Sequence, residues 1–111
     1  MESILNTTKK LLGIPEQYTN FDTDIIVHIN TAFSTLNQIG VGPESGFLIE
    51  DDSAVWSDYI TSCNLTMVQT YIYLKVRLLF DPPTSGALME SMNRSVAELE
   101  WRLYLEGDKS E

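Results

Sequence analysis

LTMVQTYIYLKVRLLFDPPTS, residues Leu65 to Ser85, is the stretch that decides the fold. From Leu65 to Phe80 the residues are apolar on more than one helical face. Leu65, Val68, Ile72, Val76 and Leu79 form one stripe, and Tyr71, Leu74 and Leu78 populate another side. A helix apolar nearly all round must be covered on several sides. Asp81-Pro82-Pro83 then stops it, because proline lacks the N–H a helix needs and pushes the preceding residue out of helical geometry. A second helix follows, capped by Thr84 or Ser85, with Leu88, Met92, Val96, Leu99 and Leu103 along one seam. That spacing suits antiparallel packing. The expectation is an all-α fold: a small bundle of four to five helices around a central apolar helix, with an antiparallel hairpin in the C-terminal half.

Working outward, Ile4 to Leu12 reads as a first helix, with Ser3 as N-cap, Lys9 and Lys10 suited to the negative end of the dipole, and Gly13 as stop. Ile14-Pro15 reads as an extended connector. Asp22 or Thr23 caps a second helix, in which Ile25, Ile26, Ile29, Phe33, Leu36 and Ile39 recur at helical steps before Gly40 ends it. His28 and Asn30 lie off that stripe. The section from Val41 to Asp52 is irregular, with Gly42-Pro43 and Ser45-Gly46 as turn pairs. Between them Phe47-Leu48-Ile49 reads as an extended segment or small strand. Asp51-Asp52-Ser53 reads as an N-cap cluster for a short helix through Trp56, Tyr59 and Ile60. The hub helix starts near Cys63 or Asn64. Residues 1–106 read as one helical domain and 107–111 as a short polar tail that frays.

Hydrophobic residues make up 43% of the chain and the mean hydropathy is -0.07, the profile of a globular protein rather than a disordered one. At this size roughly 65% of the unfolded surface is buried, enough for a core without disulfides or metal. One cysteine, Cys63, excludes an intrachain disulfide. Met1-Glu2-Ser3-Ile4 does not read as a signal peptide. Lys75 and Arg77 interrupt an apolar run too short for a bilayer, so no membrane role is expected.

The formal charge is -9, from 16 acids against 7 bases. Glu44, Glu50, Asp51, Asp52 and Asp58 follow one another with no base between Val41 and Ile60. Gripping nucleic acid requires several cations on one face, and here the bases are scattered. Tyr71 and Tyr73 flank Lys75 and Arg77, but those two bases lie about 200° apart on a helix and form no single patch.

Few residues invite chemistry. His28, the lone histidine, has only Asp24 one turn earlier, the spacing of an ordinary surface pair. Cys63 reads as a structural thiol, with no base within a helical turn. Glu50-Asp51-Asp52 are adjacent acids pointing in different directions rather than ligands alternating around a tight turn. No phosphate loop, Cys/His cluster or nucleophile elbow is present. The inventory indicates no catalytic, cofactor-binding or metal residues, and no enzyme.

The run from Tyr71 to Ser85, followed by Glu98-Leu-Glu-Trp-Arg-Leu103, resembles the tailed-phage head–tail connector family, also described as gp6-like connectors or DNA-packaging proteins. Leu11-Leu-Gly-Ile-Pro15 and the helix from Asp24 to Ile39 are similar to that family too. The segment around Asp81-Pro82-Pro83 carries the resemblance most specifically, and Val41 to Ile60 matches no motif. The resemblance implies a helical virion protein, made in the host bacterial cytoplasm, that assembles at the head–tail junction into a ring of about twelve copies. Such a ring lies below the portal, extends the DNA channel and joins the capsid to the stopper or tail-completion protein. DNA passes through it without specific binding. The rival reading is a small acidic helical adaptor or anti-repressor that binds a host protein.

Two expectations concern surfaces. Five acids cannot all be buried at tolerable cost, so the segment from Glu44 to Asp58 should face a ring surface or lumen, with Phe47, Leu48 and Ile49 covered by a neighbouring subunit. At about 16 residues and 1.5 Å per residue the hub helix reaches roughly 24 Å. The last helix matches that length by Trp101, so Tyr104 and Leu105, with part of Trp101, overhang. Such an overhang marks either packing on the first helix or a contact with another chain. The resemblance favours the second, an inter-subunit or portal interface at Trp101, Tyr104 and Leu105. Within the hairpin, Arg77 should face Glu90, with Asp81 as the competing partner, and the last helix should carry Glu90–Arg94, Arg94–Glu98 and Glu98–Arg102 pairs.

Overall fold

The computed structural model describes residues 2–60 and 65–110. Five helices follow one another: α1 (Ile4–Leu12), α2 (Asp22–Gln38), α3 (Trp56–Tyr59), α4 (Leu65–Phe80) and α5 (Gly86–Ser110). Among the described residues there is no strand. One isolated antiparallel bridge joins Ser3 to Val55. The all-α bundle expected from the hairpin is what forms.

α4 is the hub. It packs against α1, α2 and α5, and Val68, Tyr71, Ile72 and Val76 are wholly buried. Each such side chain contributes about 1.5–3 kcal/mol by leaving water. Their partners include Ile25, Ile29, Ala32, Phe33 and Leu36 of α2, Ile4 and Leu5 of α1, and Val96 and Leu103 of α5. The two ends of the anticipated stripes behave differently. Leu79 on α4 and Leu88 on α5, both near the proline turn, are about half exposed. The expected start of α4 at Cys63 or Asn64, and the structural role of the Cys63 thiol, fall outside the described residues.

Local chemistry sets most boundaries. The Ser3 hydroxyl accepts the Asn6 N–H at 3.2 Å. At the other end of α1, Gly13 adopts φ 82°, and the Ile14 N–H reaches back to the Lys9 carbonyl at 2.9 Å. A left-handed residue at this place turns the chain across the helix end. The cap of α5 is Ser85, whose hydroxyl accepts the Leu88 N–H at 3.3 Å.

Three boundaries differ from expectation. Phe21, without a side-chain bond, occupies the N-cap of α2, and Asp22 is already helical. Its carboxylate serves Lys9 instead, as described below. The Asp51-Asp52-Ser53 cluster does not cap α3 either. Asp51 closes a local turn by accepting the Ser53 N–H at 2.9 Å, whereas Asp58 takes the Val55 N–H at the helix start. The Ser53 hydroxyl and N–H both hold the Asp51 carboxyl below its ordinary range. Finally, α5 continues through Ser110, past the point where composition places a fraying tail.

Candidate interaction surface

Asn30 organises the irregular segment after α2. Its side-chain amide donates to the Ile49 carbonyl at 3.0 Å and accepts the Ile49 N–H at 2.8 Å. One amide thus satisfies both backbone groups of Ile49 and ties 47–49 to α2, outside any helix or sheet. Along it Ile49 turns inward, Leu48 outward and Phe47 inward. Ile49 is buried, and the Phe47 ring packs 5.2 Å from both Phe33 and Tyr59. Their cover is intramolecular, so the need for a neighbouring subunit over Phe47 and Ile49 disappears. Leu48 alone of the three stays outside, 65% exposed. The acids of this segment are exposed, as their charge requires. The apolar residues among them turn the other way and pin the segment to the core.

The second half of α5 bears an exposed apolar face along the hub rather than a segment overhanging it. Leu103 is fully buried, whereas Trp101, Tyr104 and Leu105 are 61%, 42% and 39% exposed. Trp101 and Tyr104 stack with ring centres 6.0 Å apart. At 100° per residue these three side chains share one face, opposite Leu103. Two adjacent aromatics in water on an otherwise acidic helix form an unpartnered apolar patch.

Glu100 ties this part of α5 back to α4. Its carboxylate accepts the Tyr71 hydroxyl at 2.7 Å and lies 3.7 Å from the Lys75 ammonium. Burial, and then the adjoining Glu100 carboxylate, push the Tyr71 phenol well above its ordinary range. The phenol therefore stays protonated and able to donate. The expected Arg77–Glu90 pair does not form. Arg77 donates to the Asp81 carbonyl at 3.0 Å and to the Tyr73 hydroxyl at 3.4 Å. The last carbonyls of α4 need donors, and Pro82 and Pro83 have no N–H to give. A guanidinium one turn away fills that need without crossing the hairpin. Of the three anticipated surface pairs on α5, only Arg102–Glu98 is in contact, at 2.8 Å.

Two features are not legible in the helical periodicities. Lys9 is 1% exposed. Its ammonium donates to the Glu16 and Tyr18 carbonyls at 3.0 and 2.8 Å and meets the buried Asp22 carboxylate oxygen at 2.9 Å. Two carbonyls accept hydrogen bonds from the ammonium, and Asp22 balances its charge as an ion pair although its buried Oδ1 accepts no hydrogen bond. Together they make burial of the charge tolerable. Lys9 thereby folds the 13–21 connector onto α1 and α2. That fold brings Phe21 against Phe80, 5.3 Å apart and edge-on, with Tyr18 5.5 Å from Phe21 and His28 6.4 Å from Phe80. His28 is thus an aromatic neighbour of Phe80 rather than a simple surface partner of Asp24. A strip of four rings lies along the end of α4, and its only sequence signal is an aromatic at each of two helix boundaries.

None of these arrangements places a base against a nucleophile. Among the described residues no group of three or more His, Cys, Asp or Glu side chains is placed to hold a metal ion. No helix there is long and apolar enough to cross a membrane. What the geometry offers is surface for partners: the exposed aromatic face of α5, the ring strip at the other end of α4, and Leu48. Residues 4–110 match the family model described as phage connector protein.

The chain belongs to the phage connector family. Comparison with curated proteins and with solved structures gives no significant match. The connector family is structural rather than enzymatic. Membership makes the chain a virion component that meets other head or tail proteins. The Asp81-Pro82-Pro83 turn of this connector separates its hub from its longest helix. α5 at 25 residues exceeds α4 at 16. Trp101, Tyr104 and Leu105 lie on the outer face of its second half, where Glu100 and Leu103 still pack on the hub.

Proposed function

We propose that this connector is the head–tail adaptor of a tailed phage. Copies of it form a ring below the portal, on the order of twelve in number, which extends the DNA channel and joins the capsid to the stopper or tail-completion protein. Its role is structural, with no catalytic step. The observation that carries the reading is the family match from residue 4 to 110. The surface chemistry supports it: the exposed Trp101, Tyr104 and Leu105 suit contact with a partner chain, and Leu48 suits a smaller second one. The exposed acids of the 44–58 segment suit a conduit in which phosphates should slide rather than bind.

Electron microscopy of the chain mixed with its portal protein tests the reading. A ring seated below the portal, with an open axial channel, is the expected image. A chain that stays monomeric and leaves portals undecorated would refute it.

A further inference from the structure

Two apolar surfaces stand at opposite ends of α4. At its C-terminal end a groove of about 440 Å³ is lined by Leu12, Ile14, Phe21, Phe80 and Asp81. α1, the connector, the start of α2 and the end of α4 each contribute a wall, so the groove exists only in the folded chain. Its volume lies in the range that accepts a buried organic group. At the other end stands the Trp101–Tyr104–Leu105 face of α5. Glu100, beside Trp101, meets Tyr71 and Lys75, and Tyr104 and Leu105 lie further still from Phe80. The antiparallel hairpin therefore keeps the face more than about 10 Å along α4 from the groove, and it cannot enter its own groove.

We propose that the Trp101–Tyr104–Leu105 face of one copy seats in the Leu12–Phe21–Phe80 groove of a second copy. This assignment rests on the ring reading above and names the surfaces that meet. Each copy carries one projection and one groove, so every copy uses both, head to tail. Contacts of that kind generate a ring when the rotation between copies closes. Aromatic side chains entering an apolar groove are the usual anchors of such an interface.

Charge favours a second copy as the occupant. The Asp81 carboxylate, at the groove edge, has no ion-pair partner among the described residues, since Arg77 uses only its carbonyl. Asp24, also exposed, lies on the α2 face between Phe21 and His28. On the projection, Arg102 adjoins Leu105 around the helix. Its present partner, Glu98, is an exposed neighbour on the same helix, and such a pair exchanges at little cost. In the assembled pair Arg102 faces Asp81.

The test uses the full chain with Tyr104→p-benzoylphenylalanine, assembled with portal protein, irradiated, and mapped by mass spectrometry. Chain-to-chain conjugates ending in residues 11–21 or 79–81 are expected. Conjugates to the portal alone, or to another surface of the chain, overturn the pairing while leaving the ring intact. A chain that remains monomeric beside the portal overturns the ring reading and the pairing together. Charge exchange gives an independent check. Asp81→Arg and Arg102→Asp should each raise the concentration needed for ring formation roughly tenfold, with helical signal unchanged, and the double variant should recover most of the loss. Equal impairment in the double variant rejects the contact.

Discussion

Replacing Lys9 with methionine isolates the contribution of the buried ammonium. Methionine keeps most of the stem volume, so little cavity forms. What disappears is the charge that serves the Glu16 and Tyr18 carbonyls and the Asp22 carboxylate. Breaking a buried pair from one side costs about 3–5 kcal/mol. The Asp22 side chain is 25% exposed, so water can reach part of it, and the lower end, about 3 kcal/mol, applies. With a urea dependence of about 1.5 kcal/mol per molar, the unfolding midpoint should fall by about 2 M. Circular dichroism across a urea series reads this directly. The companion variant, Lys9→Met with Asp22→Asn, removes both charges and should lose less than the two single changes added together. A Lys9→Met midpoint within about 0.3 M of the parent, or strictly additive costs in the cycle, would show that Lys9 does not organise the connector through Asp22.

Four further outcomes are expected. Gly42→Ala should cost about 2–4 kcal/mol: φ there is +88°, and a Cβ would stand 2.5 Å from the Tyr59 ring, itself packed between Phe33 and Phe47. Thermal melting of the purified variant measures it. Phe47→Ser should destabilise the isolated chain by about 2–3 kcal/mol, whereas Leu48→Ser should leave the urea midpoint unchanged, because only Phe47 faces the core. Ile72→Asp should abolish the cooperative melt, since an unpaired charge at a fully buried site costs several kcal/mol against marginal stability. Deleting Tyr104 to Glu111 should cost only the helical signal of the last two turns of α5 and leave a cooperative melt, because Leu103 remains, while assembly with portals is lost in a sedimentation assay. Precipitation of that truncated chain would instead assign the exposed face to the core.

The hairpin and the hub were legible in the chain itself because they depend on local rules. Apolar residues on several faces of Leu65–Phe80 require cover on several sides, and two prolines end a helix. The cap at Ser3 and the stop at Gly13 are equally local. What only the tertiary structure decided are the partners of groups able to choose among several. Lys9, which suits a helix terminus by charge, is turned inward because two carbonyls and Asp22 converge on it. Asn30 holds Ile49 across nineteen residues of sequence, and this fixes which of Phe47, Leu48 and Ile49 face inward. Arg77 takes the carbonyl beside it rather than a carboxylate across the hairpin. The groove between Phe21 and Phe80 arises from rings contributed by separate helices. No periodicity records such meetings, because the energy of a polar or aromatic contact depends on where the whole chain brings its partners, whereas helix formation depends on the few residues beside it.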